Sequence, residues 1–557
     1  MHSYEIKNPI LSGFYPDPSI CRVGDDFYLA CSSFSFFPGV PLFHSKDLAH
    51  WEPIGYALDR VEQLRMTPDR LSGGIYAPTL RYHDGTFYLI VGNTTTGENI
   101  LVTATDPAGD WSDVHDIKGV GGDPSLFWDD DGTCWCSYNT AGIYHQRLDL
   151  ETYELVGEPI HLWDGASAGA WSPEASHMYK KDGWYYLMIA EGGTEHYHAV
   201  SVARSRDIHG PYTNYRGNPI LTHRHLTMHY PICNIGHADI VDTPNGEWYM
   251  VVLGSRIYGG YHKNMGRETF ICPVIWENEW PIAAPDTGKV EFTYPASSLP
   301  EFPMTGFPDY DDFDSATLGG QWNYIGTPTN RPARIADSKL YIRTVEAPIW
   351  KAEKRMGPMK MPDLSDPEVM ARIMEEMQRM RENVKPVALG FVGRRQTDIS
   401  YTAEAKLSFD ITNDSETAGI VLLQNNFNQI RLEVALENGR KVVRAIRFKD
   451  IFPSPMMGDV MPNLPVVDEQ GTELLGVIPC PEGDVVLRLC AKGQSHDLYA
   501  GPSQDKLLPV AVNIDGGFLG SETSGGFVGA FVGMFASGNG LDTGNEAGFD
   551  YFHYTAN

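Results

Sequence analysis

YPDPSICRVGDDFYLACSS, residues 15–33, reads as a short strand, a tight turn at Gly24-Asp25 and an aromatic-rich second strand. The same grammar returns in IYAPTLRYHDGTFYLIVG (75–92), GGDPSLFWDDDGTCWCSY (121–138), SPEASHMYKKDGWYYLMIA (172–190) and GHADIVDTPNGEWYMVVL (236–253). In these four the turn is Asp84-Gly85, Asp131-Gly132, Asp182-Gly183 or Asn245-Gly246, pairs that supply the positive φ of a short hairpin. Aligned on Asp17, Ala77, Asp123, Glu174 and His237, the lead residue precedes Tyr28, Tyr88, Tyr185 and Trp248 by eleven positions, and Trp135 by twelve. The leads fall 60, 46, 51 and 63 positions apart, the length of a four-stranded blade with its loops. Before residue 300 nothing has the period of a long amphipathic helix. Repeats of this kind predict an all-β fold that begins with a five-bladed β-propeller over residues 1–292.

The innermost strand of every blade lines the central channel, so the five leads are expected to converge there. Three of them are carboxylates. Like charges in a partly desolvated cleft raise each other's pKa, which disfavours such a cluster unless chemistry uses it. Three unrelated turn-capping acids would not share one repeat register. Glycoside hydrolysis needs a protonated carboxyl for the leaving oxygen and an ionised one to activate water or attack the anomeric carbon. A third acid beside the donor can hold the donor's proton near neutral pH.

The sequence is similar to glycoside hydrolase family forty-three, in particular its two-domain β-xylosidases and α-L-arabinofuranosidases. The likeness runs through NPILSGFYPDPSI, SSFSFFPGVPLFHSKDLAHW, GGIYAPTLRYHDGTFYLIV, GGDPSLFWDDDG, KKDGWYYLMIAEGGTEHYHAV, GHADIVDTPNGEWYMV and GRETFICPVIWENEWP, and resumes in GGFVGAFVGMFASGNG. It implies Asp17 as general base, Glu174 as general acid and Asp123 as the group that tunes and orients that acid. It further implies inversion at the anomeric carbon and exo-action on xylan-derived oligosaccharides, with β-D-xylosidase preferred over α-L-arabinofuranosidase. By the same resemblance Phe34 and Tyr76 wall the sugar pocket, Arg267 donates to sugar hydroxyls, and His237 faces a calcium ion or a water in the channel. Phe527 is expected on a loop that reaches from the second domain to the propeller mouth. Ser35 and Ser176 depart from the pattern, where Glu and Pro are usual, and leave the choice of pentose open.

Other readings are weaker. His196 with His198, and His223 with His225, alternate as zinc ligands can, but lack a third ligand at a standard offset. Cys134 and Cys136 likewise lack a second pair. DDGTCW resembles part of a sialidase Asp-box, which the other blades do not repeat. A non-catalytic sugar-binding propeller would be marked by loss of a carboxylate, and all three are present.

Among 557 residues, 43 Lys and Arg stand against 72 Asp and Glu, a net charge of −29 that disfavours nucleic acid and anionic membranes as partners. Neutral sugars fit that field. The opening MHSYEIKNPILSGF has no basic segment followed by an apolar run, and eight Cys are scattered, so the expected location is cytoplasmic. Residues 293–310 are Pro- and Asp-rich and read as a linker. From 311 to 557, runs such as YTAEAKLSFDI, AGIVLLQNN and DVVLRLCA predict an antiparallel, lectin-like β-sandwich. Within it, residues 365–383 form a short helical insertion. Ser365 and Glu368 can close a capping box there, and Met370, Ile373, Met374, Met377 and Met380 share a face suited to a homo-oligomer contact.

Overall fold

The computed structural model describes residues 4–166, 171–350, 382–449 and 471–557, together with 375, 378 and 379. Five antiparallel sheets follow one another from Ser19 to Ala283. Their innermost strands are Ser19–Val23, Ile75–His83, Gly122–Trp128, Glu174–Lys181 and Ile232–Asp242. Each pairs with the next strand of its own blade across a hairpin that uses the turn residues expected.

The second strand of each blade explains why those runs are almost wholly apolar. Successive side chains of a strand point to opposite faces, and here both faces are covered by neighbouring blades. Leu89 packs toward the first blade while Ile90 packs toward the third. Leu187 and Met188 divide in the same way between the third and fifth blades, and Met250 and Val251 between the fourth and first. The ring closes through the chain start: Glu5–Lys7 pairs with Thr293–Pro295, so the first residues of the expected linker belong to the propeller. The Asn8 side chain donates to the carbonyls of Ile271 and Glu291, both at 2.8 Å, and accepts from the Ile271 amide at 2.9 Å.

The second domain is a sandwich. Its smaller sheet runs Phe391–Arg395, Phe531–Ser537, Thr417–Asn425, Asn428–Glu437, Arg440–Lys449, Gly471–Pro479. The larger is built on Glu546–Ala556 and Ser400–Ser408. In Thr417–Asn425 every residue is buried, because alternate positions face two different partners. Ile420 and Leu422 enter the sandwich core, whereas Val421 and Leu423 join Phe14, Phe34, Phe36, Phe531 and Phe535 in a core shared with the propeller. Phe36–Phe37 also pairs with Tyr324–Ile325 across the domains. The Met-rich face of residues 365–383 lies outside the described residues, while Glu375, Gln378, Arg379 and Glu382 are helical.

The domains meet most tightly where Gly266 and Gly529 touch. A Cβ on Gly529 would stand 2.2 Å from the Met265 carbonyl oxygen, and one on Gly266 2.7 Å from the Gly529 Cα. Backbone cannot yield as a side chain can. Gly529→Ala is therefore expected to destabilise the chain by about 1–3 kcal/mol, seen as a lowered urea midpoint. An unchanged midpoint would show that the contact adjusts freely.

Candidate active site

Four of the five expected leads, Asp17, Ala77, Asp123 and His237, have positive φ between 45° and 56°. In the fourth blade that conformation belongs to Ala175, at 52°, and not to Glu174. The ladder register breaks at the same place in blades two to five, between Tyr76 and Thr79, Gly122 and Ser125, Glu174 and His177, and around Gly236 to Ala238. A bulge of this kind bends the strand start and re-aims its side chains. Two adjacent rings of residues result. Asp17, Asp123 and His237 come from the positive-φ ring, whereas Tyr76 and Glu174 share the position before it. The alignment that made Glu174 the equivalent of Asp17 is thus one residue out in the fourth blade. The signal available was the small or polar residue two places on: Ser19, Thr79, Ser125, His177 and Asp239.

Ser19, Ser125, His177 and Asp239 of that lower ring take part in hydrogen bonds, while His177 Nε2 is buried without a hydrogen-bond partner among the described residues. Asp239 accepts from Ser19 Oγ at 2.9 Å, Arg81 Nη1 at 2.7 Å and the Tyr179 hydroxyl at 2.6 Å. Arg81 Nη2 lies 2.9 Å from His177 Nδ1. Burial drives the His177 imidazole down to about 3, while Arg81 with its hydrogen-bond donors holds Asp239 at about 2 against the burial that would raise it. A neutral imidazole can then accept from Arg81, and one permanent cation plugs the channel floor.

Above it the carboxylates differ. Asp17 accepts from Ser32 Oγ at 2.6 Å and from Arg267 Nη1 at 2.9 Å, with His237 Nδ1 3.7 Å away. Burial alone would raise its pKa, but Arg267, His237 and Ser32 outweigh burial and hold it below the ordinary carboxylate value. Glu174 has no hydrogen-bonded cation: burial first, then the charges of Asp123 and Asp17, outweigh the weaker pull of Arg267 and push it up to about 8. No protein hydrogen bond reaches its carboxyl among the described residues. Burial also raises Asp123, opposed by His237 and helped by Asp17. The Asp123 carboxylate accepts from the Ala175 amide at 3.1 Å, which fixes the peptide directly after Glu174.

Phe34, Tyr76 and Phe527 come together: the Phe34 and Tyr76 rings are tilted at 44° with centroids 4.4 Å apart, and Phe527 stands 6.4 Å from Phe34 and 6.3 Å from Tyr76. The Phe527 loop is pinned by its amide, which donates to Ser72 Oγ at 2.9 Å, and its carbonyl accepts from Arg267 Nε at 3.3 Å. Arg267 also donates to Thr194 Oγ1 at 3.2 Å, leaving Nη2 without a protein partner among the described residues. Arg267→Gln is expected to move the acidic limb of kcat/KM upward, because Asp17 loses the cation that offsets its burial. An unmoved limb would remove Arg267 from that role.

The remaining residues have structural tasks. Ser35 Oγ donates to the Arg70 carbonyl at 2.8 Å and Ser176 Oγ to Ser137 Oγ at 3.2 Å. His223 is held at both nitrogens, by the Ile232 carbonyl and the Val290 amide, while His196 and His225 are exposed. His198 is buried against Gly236, where a Cβ would meet its ring at 2.4 Å. Among the described residues no three His, Cys, Asp or Glu gather as a metal group. Calcium takes six to eight oxygens. His237 offers nitrogen, and the neighbouring Asp17 is already engaged by Arg267 and Ser32, so this donor set does not suit direct ligation of calcium.

A carboxyl pushed up to about 8 beside one held below the ordinary carboxylate value is a pairing that glycoside hydrolysis can use. Comparison with known proteins agrees. Residues 6–281 match the model of Glycosyl hydrolases family 43, and residues 310–555 that of the Beta xylosidase C-terminal Concanavalin A-like domain. A xylosidase/arabinosidase of Butyrivibrio fibrisolvens is 39% identical over 98% of both chains. A non-reducing end alpha-L-arabinofuranosidase of Bacteroides ovatus is 35% identical over 98% of this chain and 94% of its own. The crystal structure of a xylan beta-1,4-xylosidase from Bacillus halodurans superposes with a TM-score of 0.84 at 32% identity, covering 99% of this chain and 100% of that one. The chain belongs to glycosyl hydrolase family 43.

Proposed function

We propose that this enzyme removes single pentoses from the non-reducing ends of neutral, xylan-derived oligosaccharides with inversion, and that β-D-xylosides are its preferred substrates. The observation that carries the reading is the split between the carboxyls: Arg267 and His237 keep Asp17 ionised, while burial and neighbouring charge keep Glu174 protonated up to about 8.

Asp17 takes a proton from a water molecule while that water's oxygen attacks the anomeric carbon. Glu174 gives its proton to the departing glycosidic oxygen, and the sugar leaves with the water's oxygen. Asp123 is a positioning residue, which holds the Ala175 amide and supplies charge that keeps the acid protonated. Phe34, Tyr76 and Phe527 form one apolar side of a pocket for a terminal sugar. Eight free thiols, five of them buried, support a reducing, cytoplasmic setting.

The alternative pentose is arabinofuranose, which the Bacteroides relative's name favours. Side-by-side hydrolysis of p-nitrophenyl β-D-xylopyranoside and p-nitrophenyl α-L-arabinofuranoside decides between them. Faster release from the xyloside supports the proposal; release from the arabinofuranoside alone replaces it. Proton NMR of the first-formed anomer tests inversion, and a product of retained configuration would reject Asp17 as a base.

A further inference from the structure

Trp171 stands three residues before the proton donor, and it is the only exposed tryptophan among the described residues, at 52%. Its place is built. The Trp171 carbonyl accepts from the Gly192 amide at 2.7 Å. Its indole lies against the Cα of Gly193: a Cβ there would stand 2.4 Å from the ring's Cζ3 and 2.9 Å from Cη2. Gly193 also has φ of +70°, so this position takes glycine for two reasons. No other aromatic ring and no cation among the described residues stacks on the indole.

The next residue, Thr194, accepts from Arg267, the group that also holds Asp17. Trp171 is therefore joined to the catalytic cluster twice, along its own chain to Glu174 and through Gly193 and Thr194 to Arg267. Phe34, Tyr76 and Phe527 wall the pocket of the sugar that is released. Glu174 meets the oxygen that joins this sugar to the leaving group. An exposed aromatic ring three residues along the chain from Glu174 suits the next ring of the oligosaccharide, because the C–H face of a pyranose is apolar and stacks on aromatic rings.

Resting on the pentosidase reading, we propose that Trp171 is the platform on which the leaving-group sugar stacks, and that it sets preference for oligosaccharides over substrates without a ring at that position. The test compares a pentosyl fluoride, whose leaving group has no ring, with a disaccharide carrying the same terminal pentose, using whichever pentose wild type releases. Trp171→Ala is expected to lower kcat/KM for the disaccharide about tenfold, mostly through KM, and to leave the fluoride within about twofold. Trp171→Phe should recover most of the loss. Equal losses on both substrates would assign Trp171 to the fold or the released sugar instead. Unchanged hydrolysis of the disaccharide would also overturn the proposal. A wild type inert toward both xylosyl and arabinofuranosyl fluorides sinks the pentosidase reading itself, a result distinct from any difference between variants.

Discussion

Asp17→Ala is expected to lower kcat/KM by about 10³–10⁴-fold, on good and poor leaving groups alike. The base acts on the water, whose activation is needed whatever departs. The substitution also leaves Arg267 with Thr194 and the Phe527 carbonyl as its remaining partners, at 3.2 and 3.3 Å. Asp17→Asn keeps hydrogen-bonding atoms in that place, so equal inactivity of the two variants, with folding checked by thermal melting, separates lost base from lost packing. Activity above about a tenth of wild type in either variant would exclude Asp17 as the base.

Glu174→Gln should behave differently. On a disaccharide, whose leaving oxygen needs a proton, the rate is expected to fall about 10²–10⁴-fold. On a dinitrophenyl glycoside, which departs unaided, the loss should be much smaller. Wild-type activity should decline as pH rises through about 8, where Glu174 gives up its proton, and this limb should be absent in the variant. A limb that persists in Glu174→Gln would assign it to another group.

The same shift makes a stability prediction. A carboxyl whose pKa is higher folded than unfolded binds its proton more tightly in the native state. Its contribution is present below the unfolded value, near 4.5, and is lost as pH rises toward about 8. Above that range the native state carries an ionised Glu174 beside Asp123 and Asp17. Glu174→Gln is thus expected to melt about 1–3 °C higher than wild type at pH 8.5, with the difference vanishing near pH 4. The acid would then be a group that the fold retains at a net loss of stability because the reaction uses it.

Much of this was legible in the residues. Four of the five hairpins announce themselves because a short turn needs positive φ, and Asp-Gly or Asn-Gly supplies it, while the first uses Gly24-Asp25. The sandwich strands show as apolar runs, and the identities of the three carboxylates follow from the repeat. The register of Glu174 was not legible from the aromatic positions, although the small or polar residue two places on marks it. A bulge shifts a strand by one residue without changing its composition, and an alignment on aromatic residues is blind to it. The hydrogen-bonded network of Arg81 with His177 and Asp239 of the lower ring was missed for a related reason: the three residues lie in three blades, and only closure of the propeller brings them within hydrogen-bond distance.

Local chemistry in the sequence by itself determined the repeat, the all-β class and the residues able to give and take protons, since turn preference and side-chain acidity belong to short stretches of chain. Tertiary structure alone decided which acid keeps its proton. Asp17 and Glu174 are similar carboxylic acids that both lose water on folding, and the difference between them comes from Arg267, 250 residues from Asp17, with His237 and Ser32 beside Asp17, against the charges of Asp123 and Asp17 that act on Glu174. It also decided how Phe527 comes beside Phe34, Tyr76 and Arg267, near the Gly266 and Gly529 contact that lets two domains approach backbone to backbone.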